Sequence, residues 1–286
     1  MASSSPTVAG WELGLRLRER RELMDITAAS AAKAIHTGQS FVSGVETGRV
    51  KINARKLAEL AAVLDFDQDE VEELQELREA AGKRAWWSPY SAMFSSDVLR
   101  YFGFEHGAES MRTYCAGLIN GLLQTEAYAM AVMHGGGPSI RLAEANRRVE
   151  VRMKRQQRLH GDDPLHLTAL ITEAALRQHV GGREVMAAQL RDLARRIEEL
   201  PDTLDVRIIP FAADYYNALG GSSFHMLDFT SRLPELIWQE TITSTDLIDQ
   251  PMRMREYNLA YNQAMSYALD RTASLSMIEQ AAKEFA

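Results

Sequence analysis

Residues 37–49 read TGQSFVSGVETGR, and the fold of the first part of the chain turns on whether this is a surface-reading helix or only a polar helix end. Phe41, Val42 and Val45 stand at i, i+1 and i+4, a narrow apolar stripe on a short helix. Gln39, Ser40 and Ser43 are hydrogen-bonding residues that the same spacing turns outward together. Gly48 follows where a helix C-terminus takes a residue of positive φ. Taken alone, the stretch fits many polar amphipathic helices, so its neighbours decide.

Upstream, WELGLRLRERRELM (11–24) places Leu13, Leu17 and Met24 on one helical face, with Arg16, Arg18, Arg20 and Arg21 around it. Thr27 is positioned to N-cap a second helix, AASAAKAIH, whose apolar residues are Ala31, Ala32 and Ile35. Thr37 and Gly38 turn the chain tightly into the quoted stretch, and Ala32 is small enough for two helices to cross closely. Downstream, Asn53 N-caps ARKLAELAAVL, with Leu57, Leu60, Ala61 and Leu64 at i, i+3, i+4 and i+7. Four or five short helices therefore fill residues 11–64, an all-α domain. Two consecutive short helices, a tight turn and a polar outer face on the second are what helix-turn-helix geometry requires.

The string from Arg16 to Phe66 resembles the lambda-repressor-like (XRE or Cro/C1-type) helix-turn-helix domain along its whole length. The resemblance implies binding to double-stranded operator DNA, with Gln39, Ser40 and Ser43 facing bases. Arg16, Arg49, Lys51, Arg55 and Lys56 are then the candidates to hold phosphates. Arg21 and Glu46 match the positions of that family's internal Arg–Glu pair. Two residues depart from its pattern: Ala28 replaces the Gln that opens the second helix, and His36 replaces the Gly of the turn. His36 is therefore expected in a left-handed or bridge conformation.

Composition agrees with a local basic module. The 286 residues carry a formal charge of −7, yet residues 10–56 hold nine Lys/Arg against five Asp/Glu. Residues 65–79, DFDQDEVEELQELRE, carry eight acids and one Arg. Such a patch suits a small nucleic-acid-binding module joined to a non-basic domain. One cysteine, Cys115, excludes an intramolecular disulfide and points to a reducing cytoplasm. The opening MASSSPTVAG has neither the basic start nor the apolar core of a signal peptide, and the longest greasy runs fall far short of the ~20 residues that span a bilayer. A cytoplasmic protein without membrane attachment is expected.

The length suggests two domains, because single cores usually stop near ~100–200 residues. GKRAWWSPY (82–90), with its paired tryptophans and Pro89, marks the junction. The organisation read from the sequence is a helix-turn-helix domain over 10–80, a linker over 81–91 and a regulatory and dimerisation domain over 92–286. Residues 92–200 are helical in pattern. After Pro201 three short strands follow, LDVRIIPF, SSFHMLDF and ELIWQE, and the chain ends in helices. The fold class is mainly α, the second domain being α+β with a small antiparallel sheet.

Catalytic spacings are missing: there is no phosphate loop, GxGxxG, HExxH, CxxC or GxSxG. The histidines have no paired spacing for a metal, and Cys115 reads as a small core residue. No enzymatic activity, catalytic residue, cofactor or metal is expected. Gly117, Gly121 and Gln124-Thr125 read as core packing, or more sharply as the wall of a groove. RRVEVRMKRQQR (147–158), with six basic residues, reads as a solvated helix face.

The blocks YCAGLINGLLQTEAYAMAVM, VEVRMKRQQRL, ITEAALRQHVGG, VMAAQLRDL, VRIIPF and SSFHMLDF occur in this order. They resemble the C-terminal domain of unknown function found on many actinobacterial helix-turn-helix regulators. Where that family reads IPGLLQT, this chain has Asn120 for the proline. The resemblance implies an antitoxin-like transcription regulator that often neighbours a gene for a small partner protein, in some members bearing on development or secondary metabolism. Three functions follow: a sequence-specific regulator acting as a homodimer, an antitoxin-like protein whose main role is to hold a small partner, and a small-molecule-sensing regulator.

Overall fold

The computed structural model describes residues 5–135, 142–229, 233–241 and 244–286. The chain forms two compact units, Met1–Gly107 and Ala108–Ala286.

The first unit contains helices α1 (Pro6–Leu23), α2 (Ala28–Ala34), α3 (Gln39–Glu46), α4 (Ala54–Val63), α5 (Gln68–Gly82) and α6 (Ser96–Gly107). Their starts follow from capping chemistry. Thr27 Oγ1 accepts the Ser30 amide at 3.1 Å and Asn53 Oδ1 accepts that of Lys56 at 2.9 Å. Asp67 and Glu70 cap each other reciprocally at the head of α5. Leu17, Ala31, Ala32, Ile35, Val42, Val45, Leu57, Leu60, Ala61 and Leu64 form one core, so Val42 and Val45 of the α3 stripe are buried and Phe41 packs against this core partly buried. His36 takes a left-handed conformation, φ 53°, in the α2–α3 turn.

At Gly14 helix α1 passes against the end of α3 with no room for a side chain. A Cβ there would stand 2.4 Å from the Val45 carbonyl oxygen and 2.5 Å from that of Glu46. The obstacle is backbone, so α3 as a whole has to give way. Gly14→Ala is expected to cost about 1–3 kcal/mol, the range of overpacked sites, despite the alanine's better helix propensity. A urea titration checks this, and a midpoint at or above wild type would contradict it.

The segment read as a linker belongs to this unit. Trp87 is buried, with its ring edge-on to Trp86 (centroids 5.5 Å apart) and to His106 (5.4 Å). Helix α6 packs on α1: Trp11 meets Phe104 edge-to-face at 5.3 Å, and Ser5 Oγ donates to the Gly103 carbonyl at 2.6 Å. These contacts carry the unit to Gly107.

The second unit is built on a sheet that is neither small nor purely antiparallel. Its six strands are β1 (Ser110–Cys115), β2 (His166–Thr172), β3 (Leu204–Ile209), β4 (Phe224–Asp228), β5 (Leu236–Glu240) and β6 (Thr245–Ile248), in the order β3-β2-β1-β4-β5-β6. β1, β2 and β3 run parallel, and β4, β5 and β6 are added antiparallel. The three expected strands are β3, β4 and β5. The reading of 92–200 as helix throughout is corrected at β1 and β2. β2 is apolar on both faces, with Leu167, Ala169, Leu170 and Ile171 all buried. It therefore shows no alternation, as is usual for parallel strands covered on both sides.

Helices α7 (Glu126–Gly135) and α8 (Leu142–Arg155) connect β1 to β2, and α9 (Glu173–Arg177) and α10 (Arg183–Glu199) connect β2 to β3. Helices α11 (Pro251–Ser266) and α12 (Arg271–Phe285) end the chain. One core cluster joins Tyr114, Leu170, Met226, Ile237 and Ile248 of the sheet to Tyr261 and Ala264 of α11.

Candidate nucleic-acid interface

Helix α3 is fixed at its inner face and open at its outer one. Val42 and Val45 are fully buried, whereas Gln39 and Ser40 are exposed and Ser43 is half-exposed. Thr47, one turn beyond Ser43, continues that face. It is exposed, and its hydroxyl donates to the Ser43 carbonyl at 2.9 Å. The same helical spacing that selected Gln39 and Ser43 could have included it.

Glu46 ends the helix and points inward. Its carboxylate takes both Nε (2.6 Å) and Nη2 (2.9 Å) of Arg21, and Arg21 Nη1 donates to the Ile26 carbonyl at 2.8 Å. One guanidinium thus ties the end of α3 to α1 and to the α1–α2 turn. The hydrogen bond to Glu46 holds the Arg21 guanidinium above its ordinary range.

The five cations read as phosphate contacts divide into two groups. Arg16 bonds Glu73 of α5 at 2.6 Å and Glu12 at 2.8 Å. It lies two residues beyond Gly14, about 200° around α1 at 3.6 residues per turn, and so faces away from α3. Lys56 donates to the Ile35 carbonyl at the end of α2 and to Glu59 at 2.7 Å. Both are structural ties. Arg49, Lys51 and Arg55 are exposed: Arg49 lies 3.7 Å from Asp97, Arg55 bonds Glu59 at 2.9 Å, and Lys51 has no ion pair among the described residues. Lys33, exposed on the last turn of α2, is a further cation that the sequence reading passed over.

In the second unit the GLLQT segment is held from beneath by buried amides. Gln124 Nε2 donates to the Ile119 carbonyl at 2.7 Å, and its Oε1 accepts Arg152 Nη1 at 2.6 Å. Gln156 Nε2 reaches the Gly121 and Gln124 carbonyls, at 3.0 and 2.6 Å. Gln189 accepts the Thr125 amide at 2.7 Å and donates to the Leu123 carbonyl at 2.8 Å. Asn120 Oδ1 accepts the Leu122 amide at 2.8 Å, giving the short 3₁₀ turn Gly121–Leu123 its cap.

The basic stretch 147–158 is only in part a solvated face. Arg152 turns to Gln124, and buried Arg158 donates to the Ala108 carbonyl at 2.8 Å. Cys115 is buried, and desolvation pushes its thiol up to about 11, against hydrogen bonds from Thr113 and Asn120. That makes it a poor nucleophile near neutrality. Among the described residues no three His, Cys, Asp or Glu side chains converge as a metal site, and no helix is long and apolar enough to cross a membrane.

Comparison with known families matches two regions of the chain. A family described as Helix-turn-helix domain matches residues 12–74, and the family described as Domain of unknown function (DUF5753) matches residues 98–280. No curated protein and no solved structure matches.

Proposed function

Since the chain belongs to the DUF5753 family and carries a helix-turn-helix domain ahead of that region, we propose that the protein is a sequence-specific, DNA-binding transcription regulator of the XRE type. The carrying observation is α3 itself, whose inner face is locked by Val42, Val45 and the Arg21–Glu46 pair while Gln39, Ser40, Ser43 and Thr47 are left to solvent. In this reading Gln39, Ser40 and Ser43 read base edges in the major groove. Arg49, Lys51 and Arg55 hold phosphates, with Lys33 a further contact and Arg16 and Lys56 supporting from within. One such helix reads few base pairs, so the regulator acts as a homodimer on half-sites ~34 Å apart. It is a cytoplasmic protein, without enzymatic activity or cofactor.

Selection of duplexes from a random library gives the operator and its half-site spacing. Replacing Gln39 and Ser43 together by Ala is expected to lower affinity for that operator by about 30-fold or more, since two good base contacts at about 1–3 kcal/mol each sum to about 2–6 kcal/mol. Weak binding that falls steeply with salt should remain. Unaltered preference in the double variant would sink the assignment.

A second reading, in which the DUF5753 region holds a small antitoxin-partner-like protein, is favoured by exposed Phe211, Tyr215 and Leu219 in the β3–β4 connection. Co-purification with the product of a neighbouring short gene tests it.

A further inference from the structure

We propose that the first unit carries a binding site for a small organic anion with an apolar body, in the cleft beside the exit of α3. The cleft has a volume of about 390 Å³, within the ~300–1,000 Å³ usual for small-molecule sites. Its floor is apolar, made by Leu13, Val45, Ala81 and Trp87, all buried. Its rim carries four cations, Lys51, Arg78, Lys83 and Arg100, and no carboxylate.

That charge pattern is specific to the cleft, because α5, which forms one wall, is among the most acidic stretches of the chain. Its first turn holds Asp69 and Glu70, and Glu70 and Glu73 are engaged outside the cleft by Arg20 and Arg16. The rim guanidiniums are oriented. Arg100 Nη2 donates to the Thr47 carbonyl at 3.0 Å and lies 5.5 Å from the Phe104 ring centroid. Arg78 Nε bonds Gln75 at 2.7 Å, and its Nη2 reaches Glu79 at 3.1 Å. Lys51 and Lys83 are exposed and form no ion pair with a described residue. A cleft lined by one sign of charge over low-dielectric walls concentrates counter-ions, and the apolar floor selects among them.

The ligand class is therefore a carboxylate, sulfonate or phosphate monoester borne on a hydrocarbon or aromatic body. Neither a bare anion nor a neutral hydrophobe uses both halves of the site. An occupant would join Lys51 of the α3–α4 connection to Lys83 at the end of α5. Its effect on DNA affinity rests on the function proposed above, whereas its binding does not.

The test uses the full chain without DNA, titrated at low salt with 1-anilinonaphthalene-8-sulfonate and followed by dye fluorescence and by energy transfer from tryptophan. The expected result is one saturable site per folded chain. Lys83→Glu, at an exposed position outside the proposed DNA contacts, should weaken it about tenfold or more through charge reversal. Ala85→Trp, which fills the cleft, should weaken it at least as much, and both variants are checked for native folding by near-ultraviolet circular dichroism. Uncharged N-phenyl-1-naphthylamine should bind about tenfold more weakly than the sulfonate, and inorganic phosphate should displace the dye only at concentrations far above the dye's. The absence of a saturable site, equal affinity in folded Lys83→Glu, equal binding of the neutral dye, or displacement by equimolar phosphate would each overturn the proposal.

Discussion

Glu46→Ala is expected to destabilise the first unit by about 2–4 kcal/mol, at or just below the lower end of the ~3–5 kcal/mol for breaking a buried ion pair from one side. Glu46 is 6% exposed and Arg21 12%, so the pair is shielded without being fully dry. Removing the carboxylate leaves the guanidinium with the Ile26 carbonyl as its one remaining hydrogen bond of the three and with half-exposed Glu22, 3.6 Å away, as its remaining counter-charge. The cost comes from the stranded charge more than from a lost attraction. Glu46→Gln keeps an acceptor and should fall between. The double variant Arg21→Met, Glu46→Leu should recover much of the loss, because it strands no charge and leaves only the Ile26 carbonyl without its donor. Urea unfolding with a full double-mutant cycle measures all three. A double variant as unstable as Glu46→Ala would show that the pair matters by shape and not by charge. DNA affinity should fall alongside, since the same carboxylate fixes the end of α3.

Gln189→Leu is expected to cost a similar amount, about 2–5 kcal/mol, in the second unit. The side chain is fully buried and serves two backbone groups of the GLLQT segment, the Thr125 amide and the Leu123 carbonyl. Leucine fills much of the volume but satisfies neither, and each orphaned buried group costs about 1–3 kcal/mol. Gln189→Glu keeps the acceptor for Thr125 but faces a carbonyl with a carboxylate, so it should be no better at neutral pH and should improve as acid protonates it. Thermal unfolding gives the total, and amide exchange at Thr125 localises it. Native-like protection of that amide in Gln189→Leu would mean that another group replaces glutamine, and the network would then be dispensable.

The helical half of the architecture was legible because its signals are local. The caps at Thr27 and Asn53, the i, i+3, i+4, i+7 spacing of α4 and the strained turn at His36 each lie within one turn of the residues they organise. The sheet was only half legible. β3, β4 and β5 stand between turn signals, whereas β1 and β2 run into apolar helical sequence, and β2 is apolar on both faces. β6 is a four-residue edge strand, too short to announce itself.

At the interface, spacing identified the outward residues of α3 but could not assign the cations. Arg16 is committed to Glu73, 57 residues away, and Lys56 to the Ile35 carbonyl, 21 residues away. Such partners are set by tertiary packing. The inward turn of Glu46 came from family resemblance and not from periodicity, which places no acid in a core.

The packing of α6 on α1 bears on how such a chain can be inherited in pieces. The DUF5753 match starts at residue 98, inside α6, while the first compact unit runs to Gly107. The opening of one hereditary segment is thus folded into the body of the other. A crossover at residues 80–95 that brought in a foreign helix-turn-helix would confront Phe104 and Gly103 with a helix lacking Trp11 and Ser5. Viable hybrids should therefore either exchange residues 5–107 as one block or keep the α1 positions that α6 touches, so that the start of α1 and the whole of α6 travel together despite the roughly eighty residues of sequence between them.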